Sequence, residues 1–222
     1  MQLHLAAVMP PDRARQLADT IRGLPHEDGR TTAGWHAAQV KANRQAAPGA
    51  ARRAVQRDIE GALREHAVLM AAAMPARIAP ALLSCTGPGE GYGTHVDDPV
   101  IGGETPLRTD LSLTLFLSDP ASYEGGTLVI EGPSGEESVK LAAGDAFLYP
   151  STSLHRVETV TAGERVVAAT WVQSRIRDAG HRAILFDLDR ARRAVFAAQG
   201  KTEAFDLVSA AHANLMRRWV EV

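Results

Sequence analysis

The sequence predicts a mainly β protein with flanking helices, its core a sandwich or jelly roll. Three observations carry that reading. Short runs of strand character follow one another from about residue 76 to residue 173, separated by Gly, Pro and Ser clusters. Helical periodicity is confined to the two ends of the chain. The regular exchange of strands and long helices that a doubly wound parallel sheet requires is absent.

Near the start, PPDRARQLADTIRGL places Ala14, Leu17, Ala18 and Ile21 at helical spacing, with prolines where a first turn tolerates them. TTAGWHAAQVKANRQ is polar and irregular, and reads as a loop or short strands. From about 50 to 73, Val55, Ile59, Ala62, Leu63, His66 and Met70 form one apolar helical stripe, stopped by Pro75. LSLTLFLS, residues 111–118, sets Leu111, Leu113, Leu115 and Leu117 against Ser112, Thr114, Phe116 and Ser118, the period of a strand. GGTLVIEG, ESVKLAA, DAFLYP, SLHRVETV and RVVAATWVQ follow at short intervals. After residue 178 Ile184, Leu188, Ala191 and Val195 form a helical stripe; Gly200 interrupts it, and Phe205, Val208, His212, Leu215, Met216 and Trp219 form another. The expected organisation is a domain of residues 1–177, with its jelly-roll core at about 76–173, and a helical appendage at 178–222. That appendage either covers the barrel or pairs with a second copy. The length of its apolar stripes favours a homodimer through these helices.

Composition narrows the function. A chain of 222 residues with 45% hydrophobic and 23% charged content is an ordinary globular protein with one substantial core. A net charge of −2 and 5% aromatic content offer neither a basic groove nor base-stacking platforms, so a nucleic-acid partner is not expected. Cys85 is the sole cysteine, which excludes an internal disulfide and points to a reducing cytoplasm. MQLHLAAVMPPDR lacks a basic segment ahead of its short apolar run, so it is not expected to be a signal peptide, and no membrane association is expected.

The chemistry begins at YGTHVD, residues 92–97. Alone it means little: with eight His and 13 Asp, one His-x-Asp arises by chance about half the time in such a chain. On a strand, however, His95 and Asp97 point to the same face. The middle region holds one other histidine, His155, and the 57 residues between it and Asp97 allow the chain to return to the same barrel mouth. Two imidazoles and one carboxylate hold Fe(II) on one face of an octahedron and leave three positions open, although zinc also accepts such a set. A bidentate oxoacid fills two open positions and dioxygen the third. Ten residues beyond His155, Arg165 opens the apolar run RVVAATWVQ, where a guanidinium is costly without an anion. The intervening ETVTAGE reads as a hairpin, which would make the strands of His155 and Arg165 neighbours. An arginine there can clamp a distal carboxylate through two parallel hydrogen bonds. An acid held at one end by iron and at the other by arginine is 2-oxoglutarate.

TAGWHAAQVKANRQ, YGTHVD, LRTDLSLTLFLS, YEGGTLVIE, GDAFLYPSTSLHRV and RVVAATWVQSRIRD, in this order over about residues 30–178, resemble the bacterial PKHD-type hydroxylases. These are the prolyl/lysyl-hydroxylase-like branch of the Fe(II)- and 2-oxoglutarate-dependent dioxygenases. The resemblance implies a double-stranded β-helix core, iron on His95, Asp97 and His155, and the cosubstrate carboxylate on Arg165. It implies hydroxylation of an acceptor, a small molecule or a peptide, with release of succinate and carbon dioxide. Bacterial origin, a link to iron uptake and ascorbate as an auxiliary come with it. One departure concerns the pocket: Thr86 stands where relatives carry a tyrosine nine positions before the first histidine, and Phe116 lies near a second tyrosine position.

Other residues take plainer readings. Gly125 and Gly126 supply a tight turn, and Asp98 points away from the ligands. Arg108, Thr109 and Asp110 read as a turn before substrate contacts. Lys41, Asn43 and Arg44 form a polar cluster suited to the acceptor entrance. Trp171 reads as core before pocket wall, and His66 and His212 as packed edges of helix stripes. Two rivals share much of the pattern: a cupin-like metalloenzyme without the oxoacid, and a non-catalytic iron-sensing or partner-binding protein.

Overall fold

The computed structural model describes residues 1–222. Eight antiparallel strands form the core: β1 (Leu82–Thr86), β2 (Gly91–His95), β3 (Leu111–Phe116), β4 (Leu128–Gly132), β5 (Gly135–Val139), β6 (Ala146–Pro150), β7 (His155–Val157) and β8 (Arg165–Ser174). One sheet has the order β6-β3-β8-β1, and the other β5-β4-β7-β2. The chain therefore changes sheet at every step except the β4–β5 hairpin, which gives a jelly roll. Segments from the N-terminal region extend both sheets. Leu3–Leu5 pairs with β6, Arg44–Ala46 with β1, and Lys41–Ala42 with β2.

Alternation along the strands separates two environments. Leu111, Leu113 and Leu115 of β3, Leu83 and Cys85 of β1, and Val166 and Ala168 of β8 face outward. They pack beneath Leu17 and Ile21 of α1 (Pro11–Arg22) and Ile59 and Leu63 of α2 (Ala50–Glu65). The polar partners Ser112 and Thr114 are as buried as the leucines, because they face the space between the sheets. A smaller apolar cluster, including Phe116, Leu128, Ile130, Phe147 and Val167, closes one end of that space.

The stripe expected from 50 to 73 is two helices. α2 ends at Glu65 and α3 runs Ala67–Ala73, with His66 extended between them at φ −77°, ψ 104°. The histidine is a cap: Nδ1 accepts from the Leu69 amide at 3.2 Å, and Nε2 donates to the Ala6 carbonyl at 3.1 Å. A side chain that bonds backbone at a helix start competes with continuation of the helix.

The expected β7–β8 hairpin does not form. β7 is paired on one edge by β4 and on the other by β2, so it has no edge left for β8. The intervening segment instead crosses between sheets, with Ala162–Gly163 pairing Tyr123–Glu124 on the way. His155 and Arg165 consequently stand on opposite walls.

The C-terminal helices are α4 (Ala179–Gln199) and α5 (Glu203–Trp219). Leu215, Met216 and Trp219 pack on the chain's own Met74, Ile176 and Leu185, and Trp219 stacks on His181 with ring centroids 3.9 Å apart. Ile184, Phe196 and Leu207 remain exposed. Arg108 contacts no part of the cavity; it ties the tail down, bonding Asp110 at 2.7 Å and Glu221 at 3.0 Å. Asp110 also accepts from the Ser174 amide at 2.8 Å, and Thr109 donates to the Asp98 carbonyl at 2.6 Å. No helix is long and apolar enough to cross a membrane.

Leu115 is completely buried under the helices. Leu115→Ala should lower unfolding free energy by about 2–5 kcal/mol, seen as a lower urea midpoint at constant slope. A change below 1 kcal/mol, on the order of a surface substitution, would contradict this packing.

Candidate metal centre

His95 ends β2 and stands directly opposite His155, the first residue of β7. The two imidazole centroids are 4.2 Å apart. Each ring is fixed by backbone two residues before it: Nδ1 of His95 donates to the Gly93 carbonyl at 2.8 Å, and Nδ1 of His155 to the Ser153 carbonyl at 3.1 Å. Those bonds set the tautomer and leave both Nε2 lone pairs free.

Asp97 corrects the sequence reading, because it is not on the strand. β2 stops at His95, so the pleat does not aim the carboxylate. Ser112 does: its hydroxyl donates to Asp97 Oδ2 at 2.5 Å and is itself braced by Ser151 at 2.7 Å. The other oxygen, Oδ1, lies 4.0 Å from His95 Nε2 and 3.9 Å from His155 Nε2. One ligand atom from each residue falls within 4.8 Å of the others, a spacing that admits a metal ion between them. Burial, and secondly the neighbouring His155, holds His95 below its ordinary pKa, which keeps the imidazole in the neutral form that binds metals. Tyr92 stacks on His95 at 3.5 Å and Tyr149 meets the edge of His155 at 5.2 Å, so the rings have little freedom. Asp98 is exposed at the mouth and takes no part.

Arg165 enters the same cavity from the facing wall, its backbone opposite Thr86. It is 3% exposed, has no carboxylate within ion-pair distance, and its Nε lacks any partner. Glu164, an obvious alternative partner, instead pairs outside with Arg22 at 2.9 Å and Arg44 at 2.7 Å. Burial draws the guanidinium below its usual pKa, opposed by the nearby Tyr123 and Tyr149. Phe116 lies beneath it, 5.5 Å from ring centroid to guanidinium carbon. Gly126, at φ 65°, leaves room for this arginine: a Cβ there would sit 3.0 Å from Arg165 Cδ. Thr86 is buried and lines the cavity, and two tyrosines that the sequence reading passed over, Tyr123 and Tyr149, stand near the arginine.

The polar cluster divides. Arg44 is outside, bridging Glu164 and Glu90. Asn43 lines the cavity and donates to Ser84 at 2.6 Å. Lys41 lies inside, 7% exposed, donating to Thr32 at 3.0 Å with its ammonium 5.1 Å from the Tyr92 ring centroid. Burial pushes its pKa down to about 8, against the pull of Asp97 and Asp28. Trp171 is pocket wall, correcting its assignment to the core.

The sequence model of the 2OG-Fe(II) oxygenase superfamily matches residues 81–173, and that of the PKHD-type hydroxylase C-terminal domain matches residues 179–221. A PKHD-type hydroxylase of Picosynechococcus sp. is 46% identical over 222 residues, covering 100% of both chains. Another, from Maricaulis maris, is 46% identical over 221 residues, again with 100% of each chain covered. The chain belongs to the PKHD-type hydroxylase family. Solved structures share the fold at lower identity. A Pseudomonas putida prolyl-4-hydroxylase superimposes with TM-score 0.54 at 21% identity, covering 78% of this chain and 92% of that one. HygX from Streptomyces hygroscopicus, with nickel, 2-oxoglutarate and hygromycin B bound, superimposes with TM-score 0.56 at 14% identity, covering 78% and 82%.

This hydroxylase is accordingly an Fe(II)- and 2-oxoglutarate-dependent dioxygenase. The residues present fit both groups: a buried two-histidine, one-carboxylate donor set for the metal, and a buried arginine lacking a protein anion for the acid. The hydroxylase depends on Ser112 to aim Asp97. Ser112→Ala should weaken Mn(II) binding about 10- to 100-fold in anaerobic calorimetry while the far-ultraviolet spectrum is unchanged. Undiminished affinity would show that Asp97 is aimed by its loop alone.

Proposed function

We propose that His95, Asp97 and His155 hold the iron and that Arg165 clamps the distal carboxylate of 2-oxoglutarate. Arg165 carries the proposal: it shares a cavity with the histidine–aspartate cluster yet no protein carboxylate neutralises it. A cupin-like enzyme without the oxoacid has no use for such a residue. Bound iron supplies the activation of dioxygen that splits 2-oxoglutarate into succinate and carbon dioxide and oxygenates the acceptor. The chain's own residues do the positioning. The two Nδ1–H bonds present neutral nitrogens, Ser112 turns Asp97 toward them, and the guanidinium offers paired donors to a carboxylate. Leu128, Val157 and Val167 line the cavity near Arg165 and keep water from it.

Three substitutions separate the roles. His155→Ala should abolish tight Mn(II) binding; unchanged affinity would remove it from the ligand set. Arg165→Ala should leave Mn(II) binding intact but weaken 2-oxoglutarate by ~2–5 kcal/mol, or roughly 30- to several-thousand-fold. Arg165→Lys should recover only part, since an ammonium lacks the two-pronged geometry. Anaerobic calorimetry reads all three, with Mn(II) titrated into each metal-free protein and 2-oxoglutarate into the Mn(II)-loaded wild type and Arg165 variants; equal 2-oxoglutarate affinity in wild type and Arg165→Ala would sink the clamp.

The acceptor is a small molecule or a peptide, the setting the cytoplasm, and ascorbate and a place in iron uptake are extended from the family resemblance. The homodimer rests on the exposed Ile184, Phe196 and Leu207 of the C-terminal helices. Light scattering at micromolar concentration should give twice the chain mass; a monomer would refute it.

A further inference from the structure

The chain between the two sheets brings a second buried cation to the cavity. Lys41–Ala42 pairs with β2 and Arg44–Ala46 with β1, so this segment crosses the side of the barrel from the smaller sheet to the larger. Its side chains alternate: Ala42 and Arg44 are exposed, whereas Lys41, Asn43 and Gln45 line the cavity. Lys41 is 7% exposed, and its ammonium makes one hydrogen bond, to the Thr32 hydroxyl at 3.0 Å. An ammonium has three N–H groups, so two are unspent on the protein. Its place is beside the metal cluster. The ammonium lies 5.1 Å from the centroid of the Tyr92 ring, and the same ring stacks on His95 at 3.5 Å. The charges that act on it are those of Asp97 and Asp28, and Arg165 is not among them. Asp28 is exposed and bonded to Arg30 at 2.8 Å. Asp97 is committed to Ser112 and to the histidine cluster.

A buried ammonium with unspent donors calls for an acceptor, and its charge favours an anionic one. With the metal bound, a divalent ion, Arg165 and Lys41 face one carboxylate at the metal, that of Asp97. 2-Oxoglutarate brings two carboxylates, and Arg165 takes the distal one while the other chelates the metal. Lys41 is level with Tyr92 and Val157 on the metal-binding wall, across the cavity from the strand of Arg165. We propose that Lys41 binds the metal-chelating carboxylate of 2-oxoglutarate, so that the two ends of the dianion are read by two different cations, Lys41 proximally and Arg165 distally. The competing role is structural: Lys41 would then do no more than brace Thr32 and the Tyr92 ring, and through that ring His95.

The inference rests on the dioxygenase reading, and the test separates the two. Wild type, Lys41→Met and Arg165→Ala are loaded anaerobically with Mn(II) and titrated with two acids. One is 2-oxoglutarate; the other is 2-oxopentanoate, which keeps the chelating keto acid and lacks the distal carboxylate. Water-proton relaxation by the bound manganese reads both, because a chelating acid displaces metal-bound water. Lys41→Met should weaken both acids by a similar factor, about 10- to 100-fold, the worth of a hydrogen bond to a charged group. Arg165→Ala should weaken 2-oxoglutarate alone. Mn(II) affinity in Lys41→Met should persist or rise, since a neighbouring cation is gone. Lys41→Gln, which keeps a donor for Thr32, should behave alike and stands as the test should Lys41→Met fail to fold. Unchanged affinity for both acids in a folded Lys41 variant overturns the proposal, and a fall in Mn(II) affinity does so by marking the lysine as a brace of His95. A loss confined to 2-oxoglutarate would place the ammonium at the distal carboxylate, and failure of 2-oxopentanoate to bind wild type would leave the proximal end without affinity; either overturns it too. Failure of 2-oxoglutarate to bind the Mn(II)-loaded wild type would overturn the dioxygenase reading instead.

Discussion

A guanidinium buried without a protein anion is the constraint on which the arrangement of this cavity depends. Removing Arg165 from water is costly, and the surrounding chain makes it worse by offering no carboxylate. The nearest acidic residue in sequence, Glu164, is turned outward and taken by Arg22 and Arg44. What holds the side chain in place is packing: Phe116 beneath it, and Gly126 leaving the room that a side chain would fill. A protein that only needed a stable core would place an aliphatic residue there. The unpaired charge makes sense where a ligand anion arrives, and the facing wall holds the donor set that would bind the other end of that ligand.

The jelly roll makes the opposition of these walls possible. Because consecutive strands alternate between sheets, β7 and β8 lie on opposite walls although only a short crossover joins them. The larger sheet is buried on both faces, with leucines and valines turned to the helices and Ser84, Thr86, Ser112 and Arg165 to the cavity. Covering the outer face with helices lets the inner face carry polar groups without the sheet losing its hydrophobic stabilisation. The metal-binding wall is the smaller sheet, and its two histidines are direct cross-strand partners, so their relative position is set by backbone ladder bonds.

Much of this was legible in the sequence because rare residue types with strict roles announce themselves. His95, Asp97, His155 and Arg165 were found, and the structure gathers them in one cavity. The routes that bring them there were less visible. The pleat was expected to aim Asp97, yet the strand ends first and Ser112 does the aiming, a long-range bond that no local pattern encodes. LSLTLFLS did carry a hint, since its serine and threonine alternate with leucines on a strand too apolar for a solvated edge. The short segment between β7 and β8 reads locally as a hairpin, and only the prior pairing of both β7 edges forbids it. His66 fits the helical period as well as any residue, so its role as a cap is invisible until the chain before it supplies the Ala6 carbonyl. Arg108 and Lys41 are both basic residues in polar stretches; which ties down the tail and which lines the cavity depends on partners far away in sequence.

The depth of the two ends has a consequence for the order of events. Thr86, Leu128, Tyr149, Arg165 and Val167 are all buried, whereas Gly34, Asp98 and Ile101, at the other end, are partly or fully exposed. Arg165 therefore stands at the closed end and Trp171 nearer the mouth. A dicarboxylate clamped at Arg165 must pass the mouth before anything settles there, and an acceptor seated first would block its way.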